Sequence, residues 1–309
     1  MQTLYSHSLN CIGNTPLVRL SGVEEAYGIS AELYAKMEYY NPTGSVKDRA
    51  ALSMIERAEK QGLLSKGGVV VEATSGNTGI GLAFVCALKG YSFIAVMPDT
   101  ASKERRALMS AYGAELVLTD GAGGMQAAVE TARQIAKEQN GYYPDQFSNP
   151  ANPLAHYKTT GVEIYRDLPS VDMLIAGIGS GGTISGAGKY LKEKNPAVKV
   201  VGVEPNSSPY LTKGEVGRHA IEGIGAGFLP KALDKSLLDG VLCVEDSEAY
   251  DYARAAARLD GAFVGVSSGA ALCAAVRLAK LQENEGKKIV IIFPDGGGRY
   301  LSTWFGGVL

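Results

Sequence analysis

A lysine stands straight after a Pro/Gly turn in Asn41-Pro42-Thr43-Gly44-Ser45-Val46-Lys47-Asp48-Arg49, at the predicted mouth of a helix. A cation there opposes the helix dipole, which favours the neutral amine. A neutral amine can form a Schiff base with an aldehyde, although position alone also suits an ordinary surface lysine. Two glycine-rich turns accompany it. The first, Thr74-Ser75-Gly76-Asn77-Thr78-Gly79, follows the apolar run GVVVEA and offers backbone amides and hydroxyls to a carboxylate or phosphate. Simple helix capping would use fewer of these groups. The second turn, Gly177-Ile178-Gly179-Ser180-Gly181-Gly182-Thr183, satisfies GxGxxG through Gly177, Gly179 and Gly182. With Glu204 closing the next apolar run, it approaches a dinucleotide fingerprint and suggests a nicotinamide oxidoreductase. It serves equally as a cup for one phosphate, with Ser180 and Thr183 adding hydroxyl donors. The pattern leaves both readings open.

The elements that must position these turns alternate. Continuously apolar, β-branched runs at 68–74, 93–97, 114–119, 172–178, 198–204 and 287–294 read as strands buried on both faces. Helical patterns lie at 48–61, 78–89, 102–112, 125–140, 184–194, 247–259 and 269–284. The order implies βαβ units and mostly parallel sheets, in which ligands bind beyond the strands' carboxyl ends. A Pro- and Asn-rich stretch at 142–153 marks a domain junction.

Composition narrows the function classes. The 309 residues carry 30 Lys+Arg against 32 Asp+Glu, a net charge of −2, which argues against nucleic acid or an anionic membrane as partner. Thirty-nine glycines exceed the usual share and cluster between apolar runs, where a backbone approaches a ligand closely. No basic-then-apolar leader opens the sequence, and no apolar run approaches the ~18 residues of a membrane span. Cys11, Cys86, Cys243 and Cys273 are scattered, as reduced thiols of a cytoplasmic protein would be. Three histidines without a close pair predict no metal site.

The combination of motifs is more specific than any one. NPTGSVKDR, TSGNTG, GSGGT, EGIGAGF at 222–228 and GVSSGAA at 265–271 occur in the order found in the pyridoxal-phosphate cysteine synthases, or O-acetylserine sulfhydrylases. The resemblance runs from IGNTPLVRL at 12–20 to RYLST at 299–303. It implies a two-domain α/β fold of the tryptophan-synthase-β-like class (fold type II), with mostly parallel sheets flanked by helices. Residues 1–12 and 40–150 would form the smaller domain and 13–39 with 151–309 the larger, with pyridoxal 5′-phosphate in the cleft between. By resemblance, Lys47 holds the cofactor as a Schiff base and later shuttles the substrate's α-proton. Asn77 bonds the ring 3-hydroxyl, and Gly179, Ser180, Gly181, Gly182 and Thr183 hold the phosphate. Ser267 faces the pyridine nitrogen. Thr74, Ser75, Thr78 and Gln146 bind the substrate carboxylate, with Gly76 and Gly223 also on the substrate side. A hydroxyl at the ring nitrogen can leave it neutral, which favours β-elimination and replacement over amino transfer. The implied reaction converts O-acetyl-L-serine and sulfide to L-cysteine and acetate, by a ping-pong route through an aminoacrylate. The family also implies a homodimer and, for some members, a partnership with serine acetyltransferase.

Two positions depart from the family. Glu222 stands where glutamine is usual, and Arg218 replaces a proline. Both suit drift on a solvated loop. Glu222 also suits a base in the second half-reaction, activating a nucleophile other than sulfide, in an enzyme that consumes cysteine and releases hydrogen sulfide. Arg218 would suit a phosphorylated serine. Outside this chemistry stand the nicotinamide oxidoreductase and a catalytically idle binding protein.

Overall fold

The computed structural model describes residues 4–305. The chain divides into two compact units. One comprises the described residues up to Ile12 together with Asn41–Asn152; the other comprises Gly13–Tyr40 and the described residues from Pro153 onward. In chain order the strands are β1 (Leu17–Arg19), β2 (Glu32–Met37), β3 (Val69–Ala73), β4 (Ser92–Pro98), β5 (Glu115–Thr119), β6 (Met173–Gly177), β7 (Lys199–Pro205), β8 (Gly240–Val244) and β9 (Lys288–Phe293).

The first unit is built on a parallel three-stranded sheet, β3-β4-β5. Alternation along the strands sends Val70, Phe93, Ala95 and Met97 into one core with Met54, Ile55, Ile80 and Leu82 of two helices, Lys47–Lys60 and Asn77–Lys89. Val71, Ala73, Ile94 and Val96 face the opposite core, with Ala128, Ala132 and Ala136 of the helix Gly124–Glu138. Helices therefore cover both faces of β3 and β4, which is why these two read as unbroken apolar runs; β5, expected to be buried on both faces, is instead a partly exposed edge strand, with Leu118 46% exposed.

The second unit holds a six-stranded sheet in the order β1-β2-β9-β6-β7-β8, parallel except for the antiparallel edge strand β1. Leu33, Ala35, Ile175, Val203, Ile291 and Phe293 face the helices Asp246–Asp260 and Val266–Ala279. Leu174, Ala176, Val200, Val290 and Ile292 face the other way, against Ile164, Ile184, Ala187 and Leu191. The arrangement is the mixed α/β, mostly parallel class expected of the sequence.

Local boundaries shift by a residue or more at most of the helices, and two shifts bear on the site. The helix expected over 269–284 spans Val266–Ala279, because extended Gly265 caps it and lets Val266, Ser267 and Ser268 form its first turn. Its expected tail is a separate 3-10 turn, Gln282–Asn284, tied back by Asn284 Nδ2 donating to the Leu278 carbonyl. The helix expected from residue 48 begins at Lys47 itself.

Candidate functional site

In the first unit the segment before Lys47 is closed by its own side chains. Gly44 adopts φ +80°, a conformation that favours glycine, and donates to the Asn41 carbonyl at 2.7 Å. The fully buried Asp48 carboxylate accepts both the Thr43 amide, at 2.7 Å, and the Thr43 hydroxyl. Lys47 thus opens its helix from a turn locked on both sides. Its backbone runs against the helix Asn77–Lys89 at Gly81, where an added Cβ would sit 3.2 Å from the Lys47 carbonyl oxygen.

Asn77 begins that helix directly beyond β3, with Thr74, Ser75 and Gly76 in the intervening turn. The first amides of a helix have no intrahelical acceptor, so the turn is rich in donors. The Thr74 amide is anchored on the Val96 carbonyl at 2.9 Å, and its methyl group fills the space that a Cβ at Gly79 would need. Gln146, distant in sequence, comes to the same place: Thr78 Oγ1 donates to Gln146 Oε1 at 2.6 Å. The structure brings Thr74, Ser75, Gly76, Asn77, Thr78 and Gln146 together at one helix N-terminus. Both Thr78 and Gln146 are buried.

In the second unit the turn after β6 is shaped by crowding. A Cβ at Gly179 would lie 2.2 Å from the Gly223 carbonyl oxygen, and one at Gly177 would lie 2.6 Å from Ile224. Gly181 has φ +81° and caps the helix Gly182–Lys194. Ser180 and Thr183 supply hydroxyls at that helix's start, and the Thr183 hydroxyl is held 3.2 Å from His156 Nε2. His156 is buried, with Nδ1 2.9 Å from the Thr160 hydroxyl. Ser267, also buried, lies in the first turn of the helix Val266–Ala279. Gly223 stands beside it, its Cβ position 3.9 Å from Ser267 Oγ. Gly179–Thr183, Gly223 and Ser267 are therefore neighbours.

Glu222 lines a cavity of about 520 Å³ with His219, Ala220, Asp246, Tyr250 and Thr303. Burial pushes the Tyr250 phenol up to about 12, and the nearby Asp246 and Glu222 carboxylates add to the effect. Arg218 is exposed on the preceding loop. Glu204, the acid of the dinucleotide reading, is 2% exposed and already committed: it accepts the Leu211 and Thr212 amides and the Thr212 hydroxyl. It clamps the short helix Tyr210–Lys213 and so is not presented to a ribose.

Sequence reasoning missed two residues. His156 lay near the junction and carried no motif; only its proximity to Thr183 in the folded unit marks it. Glu72 was read as part of a strand, and its signal was a lone acid within GVVVEAT. It is 1% exposed, and burial raises its pKa to about 8. Among the described residues no group of three or more His, Cys, Asp or Glu is placed to hold a metal, and no helix is long and apolar enough to cross a membrane.

The residues present suit pyridoxal phosphate. The cup at 179–183 carries backbone amides, a glycine at positive φ, two hydroxyls and no acid, which matches a phosphate dianion. The amine-bearing turn and the hydroxyl at the start of a second helix match an aldehyde and a ring nitrogen. The comparisons agree. Residues 9–295 match the family of pyridoxal-phosphate dependent enzymes. A cysteine synthase from Staphylococcus aureus is 48% identical over 295 residues, 94% of each chain. The crystal structure of a cysteine synthase from Entamoeba histolytica superposes with a TM-score of 0.95 at 42% identity, covering 98% of this chain and 90% of that one. A hydrogen sulfide-producing enzyme from Fusobacterium nucleatum gives a TM-score of 0.92 at 47% identity, covering 96% of this chain and all of the other. The chain belongs to the pyridoxal-phosphate-dependent enzymes and, within them, to the cysteine synthase family.

Proposed function

We propose that the protein makes L-cysteine from O-acetyl-L-serine and sulfide, releasing acetate. The observation that carries this reading is the 48% identity to a cysteine synthase across 94% of both chains. Bound pyridoxal phosphate supplies an aldehyde for the substrate amine and a ring that withdraws electrons from the α-carbon. Lys47 and Asn77 serve the aldehyde end of the cofactor, residues 179–183 its phosphate and Ser267 its ring nitrogen. The donors at Thr74, Ser75, Gly76, Thr78 and Gln146 take the substrate carboxylate, with Gly223 also on the substrate side. Lys47 Nζ removes the α-proton, acetate leaves the β-carbon, and sulfide adds there. Ser267 offers a hydroxyl rather than a carboxylate, so the ring nitrogen need not be protonated, which directs the reaction to the β-carbon.

A second reading has its own support. Glu222 replaces the family's usual glutamine, and a hydrogen sulfide-producing enzyme is a near structural neighbour at 47% identity. In that reading cysteine is the first substrate and Glu222 activates an incoming nucleophile. Parallel assays decide between the two. Rapid acetate release from O-acetylserine with sulfide supports the first; faster sulfide release from cysteine alone, lost in Glu222→Gln, supports the second.

The same proposal extends to assembly and compartment. The family resemblance supports a homodimer and a partnership with serine acetyltransferase, and the four unpaired cysteines suit a reducing cytoplasm. Sedimentation velocity of the holoenzyme, with and without the acetyltransferase's C-terminal tail, tests both associations.

A further inference from the structure

We propose that Glu72 is a positioning residue for capture of the substrate carboxylate, acting through Gln146. This rests on the proposed function, in which Gln146 meets that carboxylate. Glu72 lies on β3 two residues before Thr74, and its two oxygens are used separately. Oε2 accepts the Asp145 amide at 2.9 Å, and Oε1 accepts the Gln146 amide at 3.3 Å. Between these two bonds the chain turns through Asp145, whose φ of +50° places a non-glycine residue in the left-handed region. The turn sends the Gln146 side chain to Thr78 and leaves its carbonyl to accept Asn152 Nδ2 at 2.8 Å. Glu72 thus fixes the backbone from which Gln146 reaches out, without lying at the helix terminus itself.

The arrangement suits the carboxylate form, since both oxygens act as acceptors. Burial opposes that form, and the Asp145 carboxylate opposes it further, so ionisation falls near pH 8. The surrounding groups are few. Tyr142 and Tyr143 lie on the same loop and share its electrostatics, and β4 places Ala95 opposite Glu72. Two cations act more remotely: Arg133, 3.9 Å from Asp145, and Arg57, which acts on Tyr142. Gln146 is therefore held most firmly above pH 8.

The test is Glu72→Gln in the holoenzyme. An amide keeps the shape but turns one acceptor into a donor facing a backbone N–H. The expected result is an approximately tenfold rise in KM for O-acetylserine at pH 8.5, with kcat and the KM for sulfide within about twofold of wild type. The ratio of variant to wild-type KM should widen from pH 6.5 to 9, a comparison that cancels the substrate's own titration. In a Gln146→Ala background the substitution should add little, because both act on one contact. A pH-independent ratio, a fall in kcat with KM unchanged, or full additivity with Gln146→Ala would overturn the inference. The Glu72→Asp variant guards against a misfolded glutamine form: the shorter acid cannot reach both amides, so its KM should rise while it keeps the wild-type cofactor content, and an unchanged KM overturns the inference. Absence of turnover by the wild type with O-acetylserine and sulfide would instead reject the proposed function.

Discussion

The two glycine-rich turns occupy equivalent places, each between a parallel strand and a helix, yet they are built by opposite means. The turn at 74–79 presents side chains: two threonines, a serine and an asparagine, with Gln146 brought in from elsewhere. Its Gly76 has extended backbone geometry and open space where a Cβ would stand. The turn at 177–183 presents mainly backbone, and Gly177, Gly179 and Gly181 are enforced by Ile224, Gly223 and Leu233 pressing within 2.6 Å of the missing Cβ atoms. A wall of side chains can be retuned by substitution, which suits a substrate exchanged at every turnover. A wall of backbone cannot, which suits a phosphate that stays.

In the proposed reaction both turns serve a cofactor held by Lys47, so the largest expected effect lies outside them. Lys47→Ala should lower kcat for O-acetylserine and sulfide by ~10³-fold or more. Sodium borohydride should then fail to fix the cofactor to the 41–49 peptide, as read by mass spectrometry. Gly179→Ala comes next. With the Gly223 carbonyl in the way, it should cost about 1–3 kcal/mol of stability, and it should empty the protein of cofactor, as read by absorbance and phosphate content.

A smaller effect follows from Glu72. Its folded pKa near 8 lies above the ordinary value of 4.5, so the unfolded chain loses this proton first as pH rises. The stability that Glu72 contributes is present below about pH 4.5 and falls away up to about pH 8. Denaturation midpoints of wild type should therefore decline between pH 5 and 8 more steeply than those of Glu72→Gln. The mildest change is Gly76→Ala, which should leave folding and cofactor content intact and raise the KM for O-acetylserine only a few-fold. Loss of cofactor from this variant would break the contrast between the turns.

The sequence disclosed β3, β4, β6, β7 and β9, because burial on both sides leaves no pattern but an unbroken apolar run, and it disclosed the edge strand β5 by its apolar composition although none of its residues is fully buried. It hid β2, whose Lys36 interrupts the apolar run. That lysine is fully buried, held by Glu163 at 2.7 Å and the Thr15 carbonyl at 2.6 Å, partners remote in sequence. It hid β1, which is three residues long, and β8, an edge strand with a half-exposed face. In the candidate site, the residues the sequence offered were those carried by contiguous motifs, with Gln146 added by resemblance. His156 and Glu72 were not among them, because His156 meets Thr183, and Glu72 meets the amides of Asp145 and Gln146, through contacts between distant parts of the chain.

The order of strands in the second unit has a consequence for biosynthesis. β9, near the chain's end, lies between β2 and β6, which have no direct pairing with each other. A ribosome releasing this protein must therefore hold β2 for some 250 residues before its parallel neighbour emerges. Until then two apolar strand edges stand open to other nascent chains, so chaperone cover during translation should matter more for this unit than for the three-stranded one.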